Sequence, residues 1–326
     1  MKRLILVSGG YDLLNALSYI RSDVAPLCKS TIVLLYSVGN VPHSLRESVQ
    51  AMCAQSTEID DFSYKKIASN NRSDRLSFAN ALKKTFLNDD VELLTFRIFG
   101  KLEKELIKTI DPSRLVLVEN GIATYLPPVS RMPWSVNRIE RQLAKQVNVA
   151  WLPLHLRFGV PFYLSKQVVH SPELNVYKNL CSDLAKKLKC EIHKDASKKS
   201  LVFVIGTSYY RLGHISEEDE AACYRLFCEN AIERGAQVIW KPHPRLNSKL
   251  NWVGDMCDKE IQNPYPQELF LSSLAGNNVE VASIASTSLS VSEIYFNAKP
   301  ILISSKVTKE IESKLSHVKL MRQKYI

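Results

Sequence analysis

Val238-Ile239-Trp240-Lys241-Pro242-His243-Pro244-Arg245 is an apolar run that ends abruptly in a turn. Val238 to Trp240 read as a buried β-strand. Pro242 and Pro244 can neither continue a ladder nor enter a helix interior, so the chain must change direction there. In a chain that alternates strands and helices, such a turn lies at the carboxyl end of a parallel strand, where open α/β sheets bind their ligands. The turn carries one imidazole, His243, between the cations of Lys241 and Arg245. That trio suits an anion, a phosphate above all. An ordinary surface loop that happens to read Pro-His-Pro is the plain alternative.

Working outward, short apolar runs alternate with stretches of helical periodicity, which predicts parallel α/β layering. In the first half, 4–7, 31–36, 91–96 and 115–118 read as buried strands, with 148–154 a further candidate. Helical segments at 11–21, 45–55, 74–85 and 102–110 join them. In the second half the strands are 201–205, 237–240, 279–282 and 300–303, and the helices 217–234, 266–273 and 288–296. A proline-marked stretch, 151–174, reads as a linker, the lysine-rich 186–199 as a solvated helix and loop, and 306–326 as a basic amphipathic helix. The expected organisation is therefore a Rossmann-like domain over 1–155, a second over 156–305, and a C-terminal helix over 306–326 that crosses back.

The chain has 326 residues with 45% hydrophobic, enough for two cores. Lys and Arg number 43 against 33 Asp and Glu, a net charge of +10, which suits an acidic partner. The basic residues are scattered, and there is no zinc-finger spacing, basic-region heptad or aromatic RNA-binding signature, so nucleic acid is not expected. Seven cysteines without a Cys-x-x-Cys indicate neither a disulfide framework nor a zinc site, and read as reduced cytoplasmic thiols. The apolar run after Lys2-Arg3 stops at Ser8, too early for a signal peptide, and no stretch approaches the ~18 apolar residues of a membrane span.

Further motifs fall at other strand ends. Glu119-Asn120-Gly121 follows the strand at 115–118, where Glu119 can serve as a general base toward an attacking hydroxyl, or simply cap the next turn. Ser286-Thr287-Ser288 opens a helix after the strand at 279–282. Capping explains one hydroxyl, and the cluster as a whole can donate to an anion beside free backbone N–H groups. Pro266 suits a helix start and Glu268 its first turn, where the carboxylate can bind a ribose diol or only complement the helix dipole. Gly9-Gly10 and Gly206-Thr207 are the matching βα turns of the two halves. The full G-x-G-x-x-G pattern is missing, which argues against a dinucleotide cofactor. No Asp-x-Asp at a strand end, Walker loop or G-x-S-x-G elbow occurs, and the other histidines lack ligand spacing.

Glu119-Asn120-Gly121, His243-Pro244 and Ser286-Thr287, in that order, resemble the acidic-acidic-Gly, His-Pro and Ser-Ser/Thr motifs of bacterial GT-B sialyltransferases, namely the lipooligosaccharide sialyltransferases and capsular polysialyltransferases. The opening Gly9-Gly10-Tyr11-Asp12-Leu13-Leu14-Asn15-Ala16 is also similar to theirs, whereas Asn120 departs from the second acid. The resemblance implies a GT-B fold of two Rossmann-like domains facing across a cleft, and inverting, metal-independent transfer of sialic acid from CMP-sialic acid to a hydroxyl of a cell-surface glycan, with no cofactor. It implies Glu119 as the base and His243 as the catalytic partner on the leaving phosphate. Lys241, Pro244, Arg245, Pro266, Glu268, Ser286, Thr287, Ser288, Gly206 and Thr207 would hold the donor. Gly9, Gly10, Asn15, Asn120 and Gly121 would face the sugar and acceptor. Another CMP- or CDP-activated donor (CMP-Kdo or a CDP-alcohol), or a non-catalytic scaffold binding an anionic glycan, are the alternatives. The expected location is cytoplasmic, with contact to the anionic inner membrane face through cations such as Arg131, Arg138, Arg141 and Lys145 or the basic tail as a further hypothesis; a solvated helix face is the plainer reading of both segments.

Overall fold

The computed structural model describes residues 1–7, 9–22, 25, 28, 30–36, 41–54, 62–67, 72–86, 89–96, 101–118, 167–170, 174–210, 215–243, 251–274, 278–284 and 286–305. Two compact units emerge, the first covering Met1–Tyr177 and the second beginning at Lys178.

The first unit is built on strands β1 (Lys2–Val7), β2 (Ser30–Tyr36), β3 (Phe62–Ile67), β4 (Val91–Thr95), β5 (Arg114–Val118) and β6 (Gln167–His170). They form one sheet in the order β3-β2-β1-β4-β5-β6, with every pair parallel. This is the doubly wound order whose direction reverses between β1 and β4. Helices α1 (Gly10–Ile20), α2 (His43–Ala54), α3 (Arg72–Thr85) and α4 (Lys101–Ile110) connect the strands. Leu4 to Val7 are all buried because a central parallel strand is covered on both faces. Alternate residues Leu4, Leu6, Ile32, Leu34 and Leu93 line one face and pack on Ala79 and Leu82 of α3 and on Leu102 and Leu106 of α4.

At the amino edge of this sheet lies a buried ionic ladder. Arg3, Glu92 and Arg114 are in-register neighbours on β1, β4 and β5. Arg3 Nε reaches Glu92 Oε2 at 2.5 Å and Arg114 Nε reaches Oε1 at 3.0 Å, while Tyr19 of α1 donates its hydroxyl to Oε1 at 2.6 Å. Burial, reinforced by the Glu92 carboxylate, pushes the Tyr19 hydroxyl well above its usual range and keeps it a donor.

Helix α5 (Leu174–Lys187) carries the boundary between the units. The second unit holds β7 (Ser200–Ile205), β8 (Ala236–Lys241), β9 (Lys259–Glu260), β10 (Val279–Ser283) and β11 (Lys299–Leu302), again all parallel, in the order β11-β10-β7-β8-β9. Here the order reverses between β7 and β10. Helices α6 (Glu217–Glu233), α7 (Asn251–Met256), α8 (Gln267–Ser273) and α9 (Thr287–Phe296) complete it. Helix α6 starts at Ser216, whose side chain accepts from Asp219 N, with four acids in its first turn. It ends at Gly235, which takes φ +78°, the left-handed conformation that glycine adopts without penalty. Its inner stripe of Tyr224, Cys228 and Ala231 packs on Val202, Val204, Val238 and Trp240 of the sheet.

Every strand expected at 4–7, 31–36, 91–96, 115–118, 201–205, 237–240, 279–282 and 300–303 is present. Three further strands are present that the apolar runs did not indicate. Residues 167–170, inside the stretch read as a linker, are instead strand β6 hydrogen-bonded to β5. Phe62–Ile67 and Lys259–Glu260 are additional edge strands, β3 and β9. The strand candidate at 148–154, the boundary after residue 155 and the helix at 306–326 lie outside the described residues. Among the described residues no helix is long and apolar enough to cross a membrane.

Candidate functional site

The carboxyl ends of β7, β8 and β10 converge on the point where the second sheet reverses its strand order, the position at which doubly wound sheets take their ligands. Three of the sequence motifs follow those ends: Gly206-Thr207 after β7, Pro242-His243 after β8 and Ser286-Thr287-Ser288 after β10.

A chain of buried hydrogen bonds ties these ends together. Gly206 N donates to Lys241 O at 2.9 Å, joining the turn after β7 to the end of β8. Ile205 O accepts both the Tyr224 hydroxyl and the Ser283 hydroxyl, each at 2.9 Å, joining β7 to α6 and β10. A Cβ built on Gly206 would lie 2.8 Å from Cη2 of Trp240 and 3.0 Å from the backbone nitrogen of His243. Only glycine lets the two turns approach this closely. Burial pushes the Tyr224 hydroxyl far above its usual range, so it remains a donor.

Lys241 extends the network to a fourth motif. Its side chain is buried, its ammonium donates to Asn263 O at 2.6 Å, and it lies 5.2 Å from the centroid of the Phe270 ring. Asn263 Oδ1 in turn accepts from Tyr265 N at 3.0 Å, closing the turn that leads into α8. Burial lowers the Lys241 pKa to about 8, opposed by the charge of Glu268. Glu268 itself is fully buried, and that burial raises its pKa to about 7, opposed chiefly by a backbone hydrogen bond and by Lys241. Gln267 donates to Glu268 Oε1 at 3.2 Å and also to the Ser288 hydroxyl, whereas Glu268 Oε2 is buried with no hydrogen-bond partner among the described residues. A buried carboxyl whose second oxygen has no partner among the described residues can accept from a hydroxyl brought to it.

Ser286 is the N-cap of α9, its oxygen accepting from Ser288 N at 3.2 Å. Ser286 and Ser288 thus both accept within the protein and retain their own O–H protons for donation elsewhere. Pro266 is the N-cap of α8, one residue before the first helical position that its sequence suggested, and Glu268 falls in the first turn as expected. Gly206, Lys241, His243, Pro266, Glu268, Ser286 and Ser288 therefore belong to one edge of one sheet. Thr207 is there too, but its side chain turns inward onto Glu220. Thr287 opens α9.

Gly9, Gly10 and Asn15 belong to the first unit, at the N-cap, first residue and buried interior of α1. Gly9 has an extended φ of −170°, and a Cβ there would meet nothing within 4 Å. Glu119, Asn120, Gly121, Pro244 and Arg245 lie outside the described residues. Among the described residues no group of His, Cys, Asp and Glu side chains is placed to hold a metal ion. Glu220, Tyr224 and Gln267 take part in this network but belong to none of the sequence motifs. Glu220 carried one available signal, since it stands four residues before Tyr224 on the buried stripe of α6.

No curated protein matches the chain significantly. Among solved structures, the UDP-GlcNAc 2-epimerase of Neisseria meningitidis bound to UDP-GlcNAc is similar at 14% identity, over 97% of this chain and 85% of that one, with a TM-score of 0.52. The S. aureus MnaA–UDP co-structure matches at 14% identity over 96% and 82%, with a TM-score of 0.54. A putative UDP-N-acetylglucosamine 2-epimerase from Listeria monocytogenes matches at 12% identity over 97% and 82%, with a TM-score of 0.52. At such identities the likeness is one of fold, and it establishes the GT-B-like plan of two Rossmann-like units. The family model of the alpha-2,8-polysialyltransferases matches residues 3–304, nearly the whole chain. The chain therefore belongs to the alpha-2,8-polysialyltransferase family, and is a sialyltransferase that takes its sugar from a CMP-linked donor and delivers it to a glycan.

Proposed function

We propose that this transferase is inverting and metal-independent, and that it moves sialic acid from CMP-sialic acid to a hydroxyl of a lipooligosaccharide or capsular polysaccharide. The observation that supports this reading is that His243, the hydroxyls of Ser286 and Ser288, the buried Lys241 and the buried Glu268 all fall at the carboxyl edge of the second sheet, by its reversal point. Such an edge suits a nucleoside monophosphate. Glu268 Oε2 accepts a ribose hydroxyl, the Pro266 turn lies beside the base, and Ser286, Thr287 and Ser288 meet the phosphate with the N-terminus of α9. Gly206, Thr207, Pro244 and Arg245 complete the donor side, with Lys241 holding the Asn263 turn and adding positive charge.

In the reaction the acceptor oxygen attacks the anomeric carbon and the bond from that carbon to the CMP phosphate breaks. The electron pair leaves on the phosphate oxygen, where His243 and the serine hydroxyls stabilise it. Glu119 takes the acceptor proton. Gly9, Gly10, Asn15, Asn120 and Gly121 line the sugar and acceptor side. Each hydrogen bond to the leaving oxyanion contributes on the order of 10²–10³ in rate. A monophosphate leaving group carries less charge than a diphosphate, so these donors suffice without a divalent ion. Arg131, Arg138, Arg141 and Lys145 hold the enzyme to the anionic inner face of the membrane.

The test incubates the purified full chain with CMP-sialic acid and a panel of glycan acceptors in EDTA, following CMP release and product anomeric configuration. Acceptor-dependent release with an inverted linkage is expected. Retention of configuration, loss of turnover in EDTA, or turnover only with CMP-Kdo or CDP-glycerol would each overturn the reading.

A further inference from the structure

We propose that Glu220 is a positioning residue for the nucleotide side of this reaction, holding the turn at 206–210 against the backbone of His243; the inference rests on the sialyltransferase reading above. Glu220 lies in the first turn of α6 with its carboxylate fully buried. Its Oε1 accepts the Thr207 hydroxyl and Tyr209 N at 3.4 Å, and its Oε2 accepts Tyr210 N at 2.8 Å. One carboxylate thus satisfies three donors from the turn that follows β7.

Neither of the usual reasons for an acid at this place accounts for it. Glu217, Glu218 and Asp219 already complement the helix dipole from more accessible positions, so a fourth acid is not needed there. Packing does not call for it either. Glu220 continues the stripe of Tyr224, Cys228 and Ala231, where an apolar side chain would be buried without desolvating a charge. What the carboxylate contributes is geometric: two backbone N–H groups and one hydroxyl of the turn are fixed to a helix.

From there the path to His243 is short and closely packed. Thr207 follows Gly206, whose N–H is bonded to Lys241 O and whose absent Cβ leaves only 3.0 Å to His243 N. Thr207 Oγ1 also lies 3.1 Å from the Tyr224 hydroxyl, which is bonded to the last carbonyl of β7. A shift of this turn must therefore be taken up by the backbone that carries the imidazole. A misplacement of about 1 Å can cost on the order of 10²-fold in rate.

The experiment compares the full chain with Glu220→Gln, Thr207→Val and Thr207→Ser, measuring kcat and the KM values for CMP-sialic acid and for the acceptor, together with the affinity for CMP itself. Gln has one acceptor fewer and would turn its amide toward a donor of the turn. The expected result is a rise in donor KM and CMP dissociation constant of roughly 10-fold or more with acceptor KM unchanged. Thr207→Val should act in the same direction, and Thr207→Ser, which keeps the hydroxyl that donates to Glu220, should raise donor KM less than Thr207→Val does. A merely structural role would lower the active fraction and leave both KM values alone. Donor KM and CMP affinity within twofold of wild type in Glu220→Gln, or in Thr207→Val should Glu220→Gln not fold, would overturn the inference while leaving the sialyltransferase reading intact. A wild-type chain that neither binds CMP nor releases it would overturn both.

Discussion

Gly206→Ala is the sharpest probe of the edge on which the donor is proposed to bind. The new methyl would stand 2.8 Å from Trp240 Cη2 and 3.0 Å from both Trp240 Cζ2 and His243 N. Ordinary carbon contacts begin at about 3.5 Å, so something must retreat by roughly half to three-quarters of an ångström. Trp240 is poorly able to do so. It is fully buried and meets the Tyr224 ring edge-on at a centroid distance of 5.0 Å. With that ring fixed, the turn at position 206 must itself back away from Trp240, and the His243 backbone packed against it is expected to shift as well. Overpacking of one methyl costs about 1–3 kcal/mol, and half of an ångström-scale misplacement lowers kcat/KM by roughly 10-fold. Urea unfolding supplies the first quantity and CMP-release kinetics the second. A Gly206→Ala protein with wild-type stability and wild-type kcat/KM would refute the claim that the two turns are in close contact.

Other outcomes follow from the same structure. Glu92→Ala takes the countercharge from the buried Arg3 guanidinium and should lower unfolding free energy by about 3–5 kcal/mol; a loss under about 1 kcal/mol would show that the ladder is not a buried ion network. Ser286→Ala removes the N-cap of α9 and should cost about 1 kcal/mol in chemical denaturation. Glu268 has its pKa raised from 4.5 to about 7 in the folded state, which therefore holds the proton more tightly than the unfolded chain. Its contribution to stability is full below pH 4.5 and is lost progressively as pH rises toward about 7. The gain in stability of Glu268→Gln over wild type should accordingly grow across that window, and a pH-independent difference would contradict the burial of this carboxylate.

Much of this architecture is legible in the chain itself, because parallel strands covered on both faces appear as unbroken apolar runs. Leu4 to Val7 and Val238 to Trp240 are of that kind. Edge strands are not. Phe62–Ile67 reads Phe-Ser-Tyr-Lys-Lys-Ile, a polar sequence that the sheet accepts only because β3 is terminal in the strand order. Gln167–His170 is short and follows a proline-marked stretch, so it resembles linker more than strand. At the site, turn chemistry made Gly206, His243 and Ser286 visible. Glu220 was hidden by its neighbours, since Glu217, Glu218 and Asp219 give the whole run the look of surface charge. Lys241 was visible as a cation, but its burial was not: a lysine closing an apolar strand can lean outward to solvent or inward to a carbonyl, and only the Asn263 turn decides the matter.

The reversal of strand order in the second sheet also sets a timetable. The two neighbours at that point, β7 and β10, are joined by the bond from Ser283 to Ile205, which spans 78 positions of the chain. A ribosome adding about 5–20 residues per second needs several seconds to supply that distance. Through that interval the nascent second half exposes an unpaired, strongly apolar edge at Leu201 to Ile205. Cells overproducing the protein should thus lose yield at this stage of synthesis, and slower translation or holdase chaperones should recover it.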